Sequence, residues 1–100
     1  MPNAISFVSY KLVEGASAPD FLLVSEQCHN EVVSKWKGFV SWRQLRDGDT
    51  WVDLVEWKTM EDAVNADKND CESNPLSQKF TSFINFDSLK MQTFSVEKNY

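Results

Sequence analysis

The sequence contains one histidine, His29, which is the first candidate for acid–base chemistry. A neutral imidazole near a bound phenol could accept the proton of its hydroxyl group. The sequence places no carboxylate where it would orient the ring, so a structural histidine at the edge of a helix is the simpler interpretation. We carry His29 forward as the predicted catalytic residue and as the residue to test.

Four aromatic residues could form the walls of a site for a flat ligand. They are Tyr10, Trp36, Trp42 and Trp57, and Tyr10 could also donate a hydrogen bond through its phenol. Aromatic residues at alternating positions of a strand more often pack a core, and a buried tryptophan needs only one acceptor for its N–H. Core packing is therefore the first interpretation of these residues, and a substrate-binding wall is the second.

The segment from Gly38 to Thr59 predicts the β-hairpin around which the chain is organised. Two runs rich in β-branched and aromatic residues flank Asp47-Gly48-Asp49, and a glycine in such a gap is typical of a hairpin turn. One predicted face carries Phe39, Leu45, Trp51, Val55 and Trp57, and the other carries Val40, Trp42, Val52 and Leu54. An antiparallel sheet with one solvated face alternates apolar and polar residues, so this hairpin needs a cover on both sides.

Two registers of the hairpin are open. A two-residue turn at Asp47-Gly48 places Trp42 opposite Asp53. A three-residue loop instead places Arg43 opposite Asp53 and Phe39 opposite Trp57. Cross-strand pairs of opposite charge or of aromatic rings each contribute roughly 0.2–1 kcal/mol, so we prefer the three-residue loop. It predicts that Arg43 and Asp53 form a structural ion pair rather than a clamp for a substrate carboxylate.

The remaining segments predict a β-α-β-β-α-β order. A strand covers Ile5 to Val13, a helix capped by Ser17 runs to about Trp36, and the hairpin follows. Thr59 caps a second helix, Asn74-Pro75 restarts it, Asp87-Ser88 is a turn, and the last strand covers Leu89 to Glu97. This order is the ferredoxin-like arrangement, an α+β fold in which helices cover one face of a four-stranded antiparallel sheet.

Composition restricts the function classes. One hundred residues predict a single domain spanning 1–100. The formal net charge of −5 argues against nucleic acid and against an anionic membrane surface as partners. With one histidine and no CxxC pair, the sequence predicts neither a metal site nor a bound cofactor. Two isolated cysteines, Cys28 and Cys71, in a chain with no apparent signal peptide are typical of reduced thiols in a cytoplasmic protein.

The chain resembles the dimeric α/β-barrel superfamily, and within it the antibiotic-biosynthesis-monooxygenase-like domains. The matching stretches are Leu54-Val55-Glu56-Trp57-Lys58-Thr59, Glu61-Asp62-Ala63, the Asn74-Pro75 break and Phe80-x-x-Phe83-Ile84. The resemblance implies a homodimer in which two sheets face each other, with a small-molecule pocket between each sheet and its own helices. It also implies that Trp57 matches a pocket tryptophan of the quinone-forming members.

The resemblance also shows two departures. Haem-degrading members use a histidine on the second helix, and this chain has none there. Quinone-forming members use an arginine on the last strand, where the only basic residue is Lys90.

Two hypotheses about function follow, and whether the protein is an enzyme stays open between them. The first is a cofactor-independent, monooxygenase-like enzyme that acts on a small aromatic or polyketide-like compound. It would use His29, Trp57 and Tyr10. The second is a non-catalytic small-ligand-binding or stress-related dimer with the same pocket.

Overall fold

The computed structural model describes residues 3–68 and 74–100. Four strands and three helices follow one another, with a 3₁₀ turn at Val33–Lys35 after the first helix. In chain order they are β1 (Ala4–Leu12), α1 (Ala18–Glu31), β2 (Phe39–Asp47), β3 (Thr50–Trp57), α2 (Met60–Lys68), α3 (Pro75–Ser82) and β4 (Ile84–Ser95). Cys71, one of the two cysteines expected to be reduced, lies outside the described residues.

The strands form one antiparallel sheet in the order β2-β3-β1-β4, with the helices on one face. The sequence prediction of an α+β, ferredoxin-like fold is therefore confirmed. The side chains that face the helices pack in two groups. The first contains Tyr10, Phe21, Trp51 and Ile84, and the second contains Ala4, Trp57 and Ala63.

The predicted helix starts are confirmed by their caps. Ser17 Oγ accepts a hydrogen bond from the backbone N–H of Asp20 at 3.3 Å, and Thr59 Oγ1 accepts one from that of Asp62 at 3.0 Å. Asn74 Oδ1 accepts from two backbone N–H groups at the start of α3. Each cap satisfies donors that the first turn of a helix leaves without an intrahelical partner.

The first helix is shorter than predicted. It ends at Glu31 rather than near Trp36, because Val32 leaves the helical region with φ −127° and ψ −69°. Val32 and Val33 are adjacent β-branched residues, which lose side-chain freedom in a helix and weaken it.

The last strand is longer than predicted. It begins at Ile84, and the predicted turn at Asp87-Ser88 is an irregularity within it. Ser88 Oγ accepts a hydrogen bond from the backbone N–H of Lys11 at 2.8 Å and donates one to the carbonyl of Asn85 at 2.6 Å. The serine therefore replaces ladder bonds that the irregularity interrupts, so the strand continues through polar residues typical of a turn.

Neither predicted hairpin register is correct. Asp47 lies opposite Thr50, so the turn consists of Gly48 and Asp49. Gly48 has φ +62° whereas Asp49 has a negative φ, the combination of a type II′ turn with glycine at its first central position. The turn is one residue further along the chain than the two-residue alternative and one residue shorter than the preferred loop.

The predicted ion pair between Arg43 and Asp53 is wrong. Arg43 lies opposite Leu54, and Asp53 lies opposite Gln44. Because neighbouring residues of a strand point to opposite faces, Arg43 is exposed on the open face while Asp53 is buried beneath the helices.

The predicted pairing of Phe39 with Trp57 is nevertheless confirmed. A register irregularity between Phe39 and Ser41 absorbs one residue, so the start of β2 returns to the predicted register. The two rings meet edge to face with their centroids 5.9 Å apart.

We expect Gly38→Ala to destabilise the fold more than Gly15→Ala does. Both glycines have a φ near +80°, which costs an alanine roughly 1–2 kcal/mol. Only at Gly38 would a Cβ collide with the side chain of Asp62, whereas at Gly15 it meets open space. Overpacking of this kind costs a further 1–3 kcal/mol or so. Urea unfolding of both variants measures the difference, and equal losses would contradict the proposed collision.

Candidate functional site

A partly open cavity of about 160 Å³ lies between the helix-facing side of the sheet and the helices. Its walls combine Trp57 of the second packed group with residues that neither group includes. They are Ser6, Val8, Cys28, Val33, Trp36, Trp42, Asp53, Val55, Trp57, Ala66, Ser77 and Phe80. Most of these side chains are apolar, so the cavity suits the body of an apolar or aromatic ligand.

Three of the four aromatic residues proposed from the sequence lie in these walls: Trp36, Trp42 and Trp57. The observed register places Trp42 opposite Val55, on the same face as Trp57. Trp36 follows α1 and stacks on Trp57, with ring centroids 6.4 Å apart and an interplanar angle of 18°. The 3₁₀ turn that shortens α1 therefore ends next to the wall of the cavity.

The indole N–H of Trp57 already has an acceptor. Its Nε1 donates a hydrogen bond to Ser6 Oγ at 3.1 Å, and both residues are buried. Trp57 therefore offers the cavity a flat apolar surface, with its polar atom used inside the protein.

Asp53 is the one carboxyl group in the cavity walls within the part of the chain that the structure describes. It is 6% exposed, and Oδ1 accepts a hydrogen bond from the hydroxyl of Tyr10 at 2.9 Å. Burial raises the pKa of Asp53 to about 6, although the hydrogen bond from Tyr10 and the nearby polar N–H groups of Trp42 and Gln44 oppose the rise. A buried carboxyl with a pKa near neutrality can exchange a proton with a ligand at physiological pH.

Tyr10, the fourth proposed aromatic residue, is buried behind the cavity rather than in its walls. Its hydroxyl is bonded to Asp53, and burial together with the nearby Asp53 charge raises the pKa of Tyr10. The phenol therefore stays protonated and positions the carboxyl.

Trp42 contributes a polar atom without an acceptor. Its Nε1 is buried and has no hydrogen-bond partner among the residues that the structure describes. The Trp42 ring packs edge to face on Phe80, with centroids 5.6 Å apart. Nearly all buried N–H groups in proteins are paired, so an unpaired one in a cavity wall is a feature to explain.

His29 does not line this cavity. It lies in a separate shallow depression together with Leu22, Ser25, Glu26, Trp42 and Gln44. His29 Nδ1 is 2.9 Å from Asn30 Oδ1, and the imidazole packs against Phe39 and Trp42 at centroid distances of 5.5 and 6.3 Å. Trp42 borders both spaces, so its ring stands between the imidazole and the cavity.

The floor of that depression is held by a short polar chain between β2 and α1. Gln44 Nε2 donates to Ser25 Oγ at 3.0 Å, and Ser25 Oγ donates to the carbonyl of Phe21 at 2.7 Å. Gln44 also lies opposite Asp53, so these bonds fix the strand next to the buried carboxyl.

Within 3–68 and 74–100, no three histidine, cysteine, aspartate or glutamate residues lie close enough together to hold a metal ion. No helix in the same ranges combines the length and the apolar character needed to cross a membrane.

Comparison with solved structures identifies the fold. SnoaB, a cofactor-independent oxygenase from Streptomyces nogalater, superposes with a TM-score of 0.76 at 12% identity, over 99% of this chain and 97% of SnoaB. A Bordetella bronchiseptica protein proposed to be an antibiotic biosynthesis monooxygenase gives 0.77 at 11% identity, over 100% of this chain and 99% of that one. The chain has the same ferredoxin-like α+β fold as these two proteins. This finding agrees with the resemblance seen in the sequence.

A further structure with this fold has a different described activity. MhuD of Mycobacterium tuberculosis, described as a haem degrader with two haems in its active site, superposes with a TM-score of 0.67 at 13% identity, over 97% of this chain and 98% of MhuD. No protein-family model and no curated protein matches the sequence. The ferredoxin-like fold therefore accommodates more than one chemistry, and the site residues must decide between them.

We expect the free energy of unfolding of Asp53→Asn to increase relative to that of the wild type as the pH rises from 4 to 7. In the wild type, the pKa of Asp53 is about 6 in the folded state, above its ordinary value of 3.8. The protonated carboxyl therefore stabilises the folded wild type at low pH, and this stabilisation is lost as the pH rises through 6. Two pKa units correspond to about 3 kcal/mol. Asparagine cannot ionise and still accepts from Tyr10.

Urea unfolding at several pH values checks this, with the exposed Asp87→Asn as the matched control. A stability difference between wild type and Asp53→Asn that does not change with pH would refute the raised pKa.

Proposed function

We propose that the protein is a cofactor-independent monooxygenase that acts on a small, electron-rich aromatic or polyketide-like compound. The observation that carries the proposal is the buried carboxyl of Asp53 in a cavity walled by three tryptophans. A ring held between such walls has its hydroxyl group next to a base and away from bulk water.

The chemistry starts with a proton transfer. Asp53, ionised above a pKa of about 6, accepts the proton of a substrate hydroxyl. The resulting phenolate is electron-rich enough to reduce dioxygen, and a ring carbon forms a bond to one oxygen atom. The peroxide O–O bond then breaks as the same ring carbon loses its hydrogen as a proton. One oxygen atom stays on the ring as a quinone carbonyl, and the other takes up that proton and the one held by Asp53 and leaves as water. Dioxygen is the oxidant and the substrate supplies all four electrons.

The protein's part in this scheme is position and environment. The stacked pair of Trp36 and Trp57 provides a flat surface for the substrate ring, and Tyr10 holds the carboxyl of Asp53. Low polarity around Asp53 keeps its basicity near the working pH, which is where a general base is most effective.

We propose Asp53 as the base in preference to His29. The imidazole lies outside the cavity, with the Trp42 ring between it and the enclosed space. For His29 to act on the same substrate, part of that substrate would have to extend into the second depression.

The comparisons support this proposal through the fold. SnoaB is described as a cofactor-independent oxygenase, which is the activity proposed here. MhuD is described with two haems bound, whereas the cavity in this chain has a volume of about 160 Å³.

The second candidate is a non-catalytic small-ligand-binding or stress-related dimer. The observation in its favour is that two polar atoms near the ligand space already have internal partners. The Trp57 N–H is bonded to Ser6, and the Tyr10 hydroxyl is bonded to Asp53. A binding protein needs the same walls and no base.

Oxygen consumption distinguishes the two candidates. With 1,2,4-trihydroxybenzene, we expect the wild type to consume oxygen faster than the spontaneous reaction. The value of kcat/KM should fall as the pH decreases through about 6, because the base must be ionised. Asp53→Asn should lower kcat by about 10²- to 10⁴-fold, which is the usual contribution of a general base.

Two further variants sharpen the result. The exposed Asp87→Asn is the matched control for loss of a carboxylate. If His29→Ala abolishes turnover while Asp53→Asn does not, the base is His29 and our assignment is wrong. If ligand binds without any protein-dependent oxygen consumption, the binding-protein candidate replaces the enzyme.

We also propose that the protein is a homodimer formed through the open face of the sheet, acting in the cytoplasm. That face carries half-buried or exposed apolar side chains from every strand: Ile5, Phe7, Leu45, Val52, Leu54 and Phe94. The helices occupy the other face, so a second copy is the cover that supports burial of this one. Stable interfaces of this kind bury more than roughly 2,000 Å² in total.

We expect Phe7→Asp to convert the dimer into a monomer at micromolar concentration, because it places a charge in the middle of the apolar face. Leu23→Asp is the matched control, since Leu23 is 57% exposed on α1. Sedimentation velocity measures both variants. A wild type that sediments as a stable monomer would overturn the dimer.

A further inference from the structure

We propose that the cavity is selective for a single phenolic ring, whose hydroxyl group accepts a hydrogen bond from Trp42 Nε1 and donates one to the carboxylate of Asp53. This inference deepens the proposed function and relies on it only in taking the cavity as the substrate site. It makes Trp42 the residue that determines specificity.

The first argument is size. Drug-sized ligands occupy pockets of about 300–1,000 Å³, whereas an apolar protein cavity of about 150 Å³ holds one benzene molecule. The cavity in this protein has a volume of about 160 Å³. One ring with small substituents therefore fits inside, and a ligand of three fused rings would leave most of its apolar surface in water.

The second argument is the unpaired donor. Trp42 Nε1 is buried without an acceptor, and leaving such a group unpaired costs about 1–3 kcal/mol. Because Trp42 lines the cavity, a ligand oxygen is an acceptor that could satisfy its N–H. An apolar ligand would leave the N–H unpaired, so the site favours a ligand with an acceptor atom.

The third argument is the position of Asp53. Asp53 and Trp42 line the same cavity, and the polar indole N–H of Trp42 lowers the pKa of Asp53 against the larger effect of burial without meeting the geometry of a hydrogen bond. A phenolic hydroxyl is both an acceptor and a donor, which lets one oxygen atom serve both groups. An aryl ether accepts but cannot donate, and a hydrocarbon does neither.

Trp57 shows by contrast why Trp42 is the selective residue. The Trp57 N–H donates to Ser6 Oγ at 3.1 Å, so Trp57 needs no hydrogen-bond acceptor from the ligand. Trp57 therefore contributes wall area to any aromatic ligand, whereas Trp42 distinguishes ligands by their oxygen chemistry.

Calorimetric titration of the full-length wild type with phenol, anisole and 9-phenanthrol tests both parts. We expect phenol to bind with a Kd below about 1 mM and anisole to bind at least 10-fold more weakly, because anisole has no hydroxyl to donate to the Asp53 carboxylate. We expect 9-phenanthrol to bind no more tightly than phenol, although it is far more hydrophobic. Equal affinity for phenol and anisole, or tighter binding of 9-phenanthrol, overturns the proposal.

Two variants and one spectroscopic signal assign the selectivity to Trp42. Trp42→Phe should reduce the ratio of phenol to anisole affinity, while Trp57→Phe should weaken both ligands by a similar factor. In the wild type, phenol should shift the Trp42 indole N–H resonance downfield more than anisole does. That signal tests the hydrogen bond even if Trp42→Phe fails to fold, and an unmoved resonance at saturating phenol refutes it.

The outcomes separate this inference from the proposed function. Selective phenol binding without oxygen consumption would retain the site and remove the monooxygenase. Oxygen consumption together with tighter binding of 9-phenanthrol would retain the monooxygenase and remove the single-ring selectivity.

Discussion

The rest of the site depends on the buried carboxyl of Asp53. A carboxylate removed from water is costly unless polar groups surround it, and here they come from two other strands of the sheet. The Tyr10 hydroxyl of β1 donates a hydrogen bond to it, and the polar N–H groups of Trp42 and Gln44 on β2 lie nearby. These groups reach one carboxyl only because β3 lies between β1 and β2 in the sheet order. The strand order of the fold therefore also determines which polar groups surround Asp53 and influence its pKa.

The register of the hairpin decides what that acid can do. Because side chains alternate between faces, a slip of one residue would move Trp42 and Gln44 to the open face and leave Asp53 with Tyr10 alone. The two-residue turn at Gly48 and Asp49 prevents that slip. The irregularity at the start of β2 then keeps Phe39 opposite Trp57, so the aromatic wall is continuous across a strand whose two ends have different registers.

Much of the fold could be predicted from the sequence because its signals are local. Side-chain caps such as Ser17 and Thr59 act within one turn of a helix, and their positions were correct. The register could not be predicted, because several turns fit one Asp-Gly-Asp gap and the energies of alternative cross-strand pairs differ by less than about 1 kcal/mol. The predicted ion pair between Arg43 and Asp53 is wrong for the same reason, because it depends on a register that the turn does not adopt. A usable signal existed, since Asp53 alternates with Trp51 and Val55 on β3 and must share their buried face.

Fold similarity and site chemistry give different information about this protein. MhuD is described with two haems in its active site, whereas the cavity of this chain has a volume of about 160 Å³. Large side chains line the space here, among them Trp36, Trp42 and Phe80. The sheet and helices therefore set the position of the cavity, whereas the volumes of a few aromatic residues limit its size. Asp53, the one carboxyl in those walls among the described residues, then sets the acid–base character of the space, because its pKa lies near neutrality.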